Sequence, residues 1–139
     1  LRPIEMRRHG LEEIAFFFTP NKGGKRIEVS EGASGGELNR LLLAIKSTLA
    51  GKEGTSVLVF DEIDSNIGGA TALKVGERLK SLGQKSQVIS ITHFPQVAKF
   101  ADHHLRVQKR EANGVAKTFI EVLSDSEKSF ELNRMAGTV

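Results

Sequence analysis

With 139 residues, 39% hydrophobic and 27% charged, the chain can bury one core and has the composition of neither a disordered segment nor a fibre. It contains no cysteine, which excludes disulfides and thiolate metal sites and agrees with a reducing cytoplasm; no apolar run is long enough to cross a bilayer, no secretory signal pattern opens it, and no membrane partner is expected. The formal net charge of +3 permits contact with nucleic acid, but Lys and Arg are interspersed with carboxylates and Tyr and Trp are absent, so neither a dense basic patch nor a base-stacking surface is evident.

Glu13–Thr19 reads as a strand, stopped by Pro20 and the turn residues Asn21–Gly24, and Leu1–Met6 pairs with it across a loop at His9-Gly10. Lys22, Lys25 and Arg26 form a small basic loop that reads as solvated. From Leu38, the apolar residues Leu41, Leu42, Ile45 and Leu49 recur at helical spacing until Gly51 provides a stop. Val57–Phe60 is a short unbroken apolar run, the pattern of a strand buried on both faces. A helix over Ala70–Leu82, ending at Gly83, leads to a second such strand, Val88–Ile91. Pro95 opens a short helix through Phe100, Leu105–Lys109 and Lys117–Leu123 form a hairpin around Asn113-Gly114, and a last helix covers Glu127–Met135. Strand–helix–strand–helix order in the middle predicts parallel strands with a right-handed crossover, flanked by antiparallel pieces at either end. With no internal repeat and no linker, residues 1–139 read as a single domain or one lobe of a larger one.

Three places carry candidate chemistry. Val57–Phe60 runs into Asp61-Glu62, and Val88–Ile91 runs into Thr92-His93. If the two strands are parallel neighbours, their carboxyl ends share one rim of the sheet, where open α/β sheets bind ligands. An apolar strand followed by Asp-Glu is the Walker B pattern, in which the first carboxylate holds hydrated Mg²⁺ and the second takes a proton from, or orients, the attacking water. The plainer alternative is a loop that opens on two acidic residues. The third place is Ser34-Gly35-Gly36-Glu37, directly before the amphipathic helix. Ser34 and Glu37 have capping-box spacing. A cap does not require Gly35-Gly36, since glycine inside a helix is about 1 kcal/mol less favourable than alanine. Two glycines let an anion approach the exposed N–H groups of a helix start, and cap and phosphate site are compatible. His103-His104 beside Asp102 is read as structural, because adjacent strand residues face opposite ways.

Together these elements are far more specific than any one alone. Ser34-Gly35-Gly36-Glu37, then Phe60-Asp61-Glu62-Ile63-Asp64, then Thr92-His93 resemble, in order and spacing, the signature motif, the Walker B strand with its D-loop, and the switch histidine of ABC ATPases. Glu37, where transporters usually carry Gln, is similar to the SMC-like branch. The stretches Asp64–Gly69 and Thr92–Asp102 narrow the likeness to a bacterial DNA-repair branch of that family, and the resemblance runs from about Glu13 to Gly137. It implies an α/β fold: a partial P-loop NTPase, the C-terminal lobe of an ABC/SMC-like head, with central parallel strands, flanking helices and antiparallel strands at the ends. It also implies roles. Asp61 would hold Mg²⁺ through water, Glu62 would be the catalytic carboxylate, and His93 would contact the γ-phosphate of ATP. Asp64 would belong to the loop that communicates across the head–head interface. Ser34, Gly35 and Gly36, with Glu37, would serve ATP held mainly by a second head of a homodimer. Repair of DNA double-strand breaks, with DNA as a partner and a nucleoid-associated cytoplasmic location, is implied with them.

One departure stands out. A P-loop needs Gly-x-x-x-x-Gly-Lys-Ser/Thr, and the nearest candidate, Gly24-Lys25, has Thr19 in place of the first glycine and Arg26 in place of the hydroxyl residue. In the family the P-loop precedes a coiled coil. This chain is therefore expected to be the segment after the coiled coil, to need the N-terminal lobe as partner, and to be inactive alone. The competing expectation is a non-catalytic module of the same ancestry that binds DNA or protein.

Overall fold

The computed structural model describes residues 2–8, 10–19, 22–49, 57–112 and 115–138. The turns expected at His9, at Pro20-Asn21 and at Asn113-Gly114, and the helix stop at Gly51, lie outside the described residues.

β1 (Arg2–Arg7) pairs antiparallel with β2 (Gly10–Glu13), Arg2 opposite Glu13 and Arg7 opposite Gly10, with an irregular register between. Glu13–Thr19 is not one strand. Beyond Glu13 the chain changes partner, and β3 (Phe17–Phe18) pairs antiparallel with β4 (Ile27–Glu28). A strand is defined by what it pairs with, so one apolar run serving two neighbours breaks where the neighbour changes. A short helix, α1 (Val29–Gly32), follows.

The part that positions the site is the central αβαβα stretch. α2 (Gly35–Leu49) starts directly after Ser34, as the capping spacing predicts. β5 (Val57–Asp61), α3 (Gly69–Gly83) and β6 (Gln87–Ile91) form a βαβ unit whose strands are parallel and in register, from Val57 opposite Gln87 to Asp61 opposite Ile91. α4 (Pro95–Ala98) follows with Pro95 in its first turn, where the missing N–H has no intrahelical partner to lose.

Leu58 and Phe60 point from β5 into the core, where they meet Ala72, Val75, Leu79 and Leu82 of α3, Leu43 of α2, Val97 of α4 and the loop residue Ile63. Phe60, Ile63 and Ala72 are fully buried, and each large apolar side chain so buried contributes about 1.5–3 kcal/mol. α3 packs closely on α4 and the residues after it at Gly76, where a Cβ would stand 3.0 Å from the Gln96 carbonyl and 2.4 Å from the Phe100 ring.

The expectation that the central strands are buried on both faces is corrected by the structure. Burial alternates along β5, and Val57, Val59, Ile89 and Ile91 are all exposed. Helices cover one side of the pair; among the described residues nothing covers the other. An unbroken apolar run therefore marks two faces that want burial, only one of which this stretch of chain buries.

β7 (Leu105–Ala112) and β8 (Val115–Val122) form the expected hairpin in continuous register, Leu105 opposite Val122 and Ala112 opposite Val115. α5 (Asp125–Met135) starts two residues before the expected Glu127 because Ser124 and Glu127 close a capping box around its first turn. Among the described residues no helix is long and apolar enough to cross a membrane.

Candidate active site

β5 and β6 deliver Asp61 and, just beyond its end, Thr92-His93 to the same rim of a parallel pair, as the sequence predicts. Asp61 and Glu62 are exposed, and so is His93, whose side chain is 74% accessible. Glu62 has φ +55 and Asn66 φ +57. Asparagine adopts this region readily, but at Glu62 it carries roughly 1–2 kcal/mol of strain, so the surrounding contacts must hold it there.

Those contacts come from α2. The Asn39 side-chain amide donates to the carbonyl of Asp61, and Arg40 Nη1 donates to the carbonyls of Ile63 and Ser65, both at 3.0 Å. The Ser65 N–H closes the turn onto the Glu62 carbonyl at 3.0 Å. Asn39 and Arg40 were not singled out from sequence. Polar residues one turn into an amphipathic helix read as its solvated face, and only the fold brings them to the end of a strand more than twenty residues away.

The start of α2 packs on the same loop. Ser34 and Glu37 form a capping box: the Ser34 N–H and hydroxyl both donate to Glu37 Oε2 at 2.8 Å, and the Glu37 N–H reaches Ser34 Oγ at 3.4 Å. The Ser34 backbone N–H, then its hydroxyl, hold the Glu37 carboxyl below the usual range. Gly36 is buried, and a Cβ there would stand 2.0 Å from Ser65 Oγ and 3.0 Å from the Glu62 carbonyl. Its lack of a side chain is therefore accounted for by packing. Ser34 and Gly35 are exposed, and a Cβ at Gly35 would meet nothing closer than Glu62 Oε2 at 3.9 Å. The signature-like turn and the Asp-Glu turn thus abut within one chain.

Asp64 is fully buried. Its Oδ2 accepts the Thr92 hydroxyl, and its Oδ1 lies 3.7 Å from His93 Nδ1. Rather than facing outward, the carboxylate ties the turn after β5 to the turn after β6. Away from the rim, burial pushes His104 below the ordinary histidine value, and Asp102 pairs with Lys80. No group of three or more His, Asp or Glu that could enclose a metal occurs among the described residues. Mg²⁺ needs no such cage: it keeps much of its water and takes one or two carboxylates plus phosphate oxygens, which an exposed Asp61 at a strand end can satisfy.

No family model matches the chain. Solved and curated proteins do. The SMC head domain of Pyrococcus yayanosii, solved with a coiled coil and joint, superposes with TM-score 0.62 at 25% identity, over 82% of this chain and 21% of that one. The fold is that of part of an SMC-type ATPase head, a P-loop NTPase-like α/β architecture. Within that class the sequence is of the RecN kind. It is 39% identical over 134 residues to the DNA repair protein RecN of Streptomyces coelicolor and 43% identical over 131 residues to that of Rickettsia bellii. Those matches take in 96% and 94% of this chain but only 23% and 24% of the relatives, in their C-terminal part, so the chain spans about a quarter of their length.

Proposed function

We propose that this chain supplies the signature turn, the Walker B carboxylates, the D-loop and the switch histidine of a RecN-like ATPase that hydrolyses ATP in the repair of DNA double-strand breaks. Asp61 holds Mg²⁺ through water, Glu62 is the base for the attacking water, and His93 meets the γ-phosphate. Bound Mg²⁺ would neutralise charge on the phosphates during transfer. Ser34 and Gly35 present the start of α2 to ATP held by a second head, with Glu37 closing the cap behind them and Gly36 seating the helix against its own D-loop. Group by group, catalysis here is positioning and charge stabilisation, which is what phosphoryl transfer asks of a protein.

One observation carries this reading: the parallel, in-register β5–β6 pair sets Asp61-Glu62 and Thr92-His93 on one rim, with the Ser34 turn abutting it. The residues that grip the β- and γ-phosphates are absent from this sequence and belong, on this reading, to an N-terminal lobe of the same protein. The bare apolar face of β5 and β6 is where that lobe packs. Head dimerisation, DNA as the partner and a nucleoid-associated cytoplasmic location complete the proposal, and rest on the likeness to RecN.

The test is reconstitution. This chain alone hydrolyses no ATP; with the N-terminal lobe it does, and Glu62→Gln then lowers kcat by about 10²–10⁴, the loss of a general base. Normal turnover by Glu62→Gln, or tight Mg²⁺-dependent ATP binding by the chain alone, would overturn the assignment.

A further inference from the structure

We propose that Asp64 is a positioning residue for His93, its buried carboxylate holding the imidazole by Nδ1 so that Nε2 is turned to the rim. The proposal rests on reading His93 as the group that meets phosphate.

A carboxylate with no exposure must be hydrogen-bonded, because an unpartnered buried oxygen forfeits its hydration for nothing. Asp64 is served on one side only. Oδ2 takes the Thr92 hydroxyl, while Oδ1 has no hydrogen-bond partner among the described residues. The ring nitrogen facing Oδ1 is His93 Nδ1 at 3.7 Å, too far for a hydrogen bond and close enough that a small rotation of the ring closes it. Catalytic hydrogen bonds are commonly long before substrate arrives and shorten in the complex.

Everything except the imidazole is already anchored. The Thr92 hydroxyl, besides donating to Asp64, accepts the Phe94 N–H at 3.0 Å, so both neighbours of His93 are fixed. The Phe94 ring lies 4.6 Å from the His93 ring, tilted by 55°. Arg40 holds the carbonyls on either side of Asp64 and gives the carboxylate a rigid base. An oxygen left over and aimed at a ring nitrogen is what a device for selecting one histidine tautomer requires.

The test uses the full-length protein. With ¹⁵N-labelled histidine, no nucleotide and the ring in its neutral form, the single His93 ring proton resides on Nδ1; a proton on Nε2 alone overturns the proposal without any substitution. Asp64→Asn lowers kcat about 10- to 100-fold, the effect of a misaimed catalytic group, and leaves KM for ATP little changed. In a His93→Ala background the same substitution costs no further activity, since the carboxylate acts only through the ring. A second, additive loss in that background makes Asp64 merely structural and overturns the proposal alone. Full activity of His93→Ala by itself overturns the reading of His93, and this proposal with it.

Discussion

A Cβ at Gly36 would stand 2.0 Å from Ser65 Oγ, whereas one at Gly35 would meet nothing nearer than 3.9 Å. Neighbouring glycines are therefore held to their identity by different constraints, and substitution separates them. Gly36→Ala forces the Glu62–Ser65 turn away from α2 and is expected to destabilise the fold by about 1–3 kcal/mol, the usual effect of overpacking, read as a lowered denaturant midpoint. Gly35→Ala leaves stability unchanged or raises it by up to about 1 kcal/mol, as alanine favours a helix. If the exposed start of α2 meets phosphate, Gly35→Ala nonetheless slows ATP hydrolysis by the reconstituted head. A stable and fully active variant would remove Gly35 from the site.

Two helices begin with the same four-residue device, Ser34-x-x-Glu37 at α2 and Ser124-x-x-Glu127 at α5. In both, hydrogen bonds from the serine hold the glutamate below its ordinary value; at Glu37 the backbone N–H is the larger influence, at Glu127 the hydroxyl. A carboxyl whose folded pKa is depressed contributes stability that is fully present above its unfolded value, and loses it as pH falls through the lower folded value. The stabilisation from both boxes therefore fades as pH drops below the ordinary glutamate value of 4.5. Denaturant unfolding across an acid pH series should show a shallower pH dependence for Glu37→Ala than for the unsubstituted chain. Ser34→Ala should lie between them, because it removes the hydroxyl and keeps the N–H. An unchanged slope in Glu37→Ala would show that the box adds nothing to folding.

At the scale of the molecule, the exposed Val57, Val59, Ile89 and Ile91 form an apolar face on the central strands. Contiguous apolar surface of this kind drives association in a soluble protein. The chain by itself is expected to self-associate with rising concentration, and Val59→Lys, placing a charge at the centre of the face, should reduce this in sedimentation experiments. Addition of the N-terminal lobe should suppress it too, by covering the same residues. A chain that remains monomeric at high concentration would mean that this face is not the one awaiting a partner.

Local chemistry determined much of this protein. Apolar periodicity located α2, and two strands ending in Asp-Glu and Thr-His announced their rim, because hydrogen-bonding periods and cap chemistry are written within a few residues of one another. Tertiary structure alone decided the rest. It broke the Glu13–Thr19 run between two partners, left one face of the central strands exposed, and brought Asn39 and Arg40 onto the turn after β5. It also turned Asp64 inward against Thr92 and His93. Each of these depends on which residues distant in sequence become neighbours in space, and neither periodicity nor spacing encodes that.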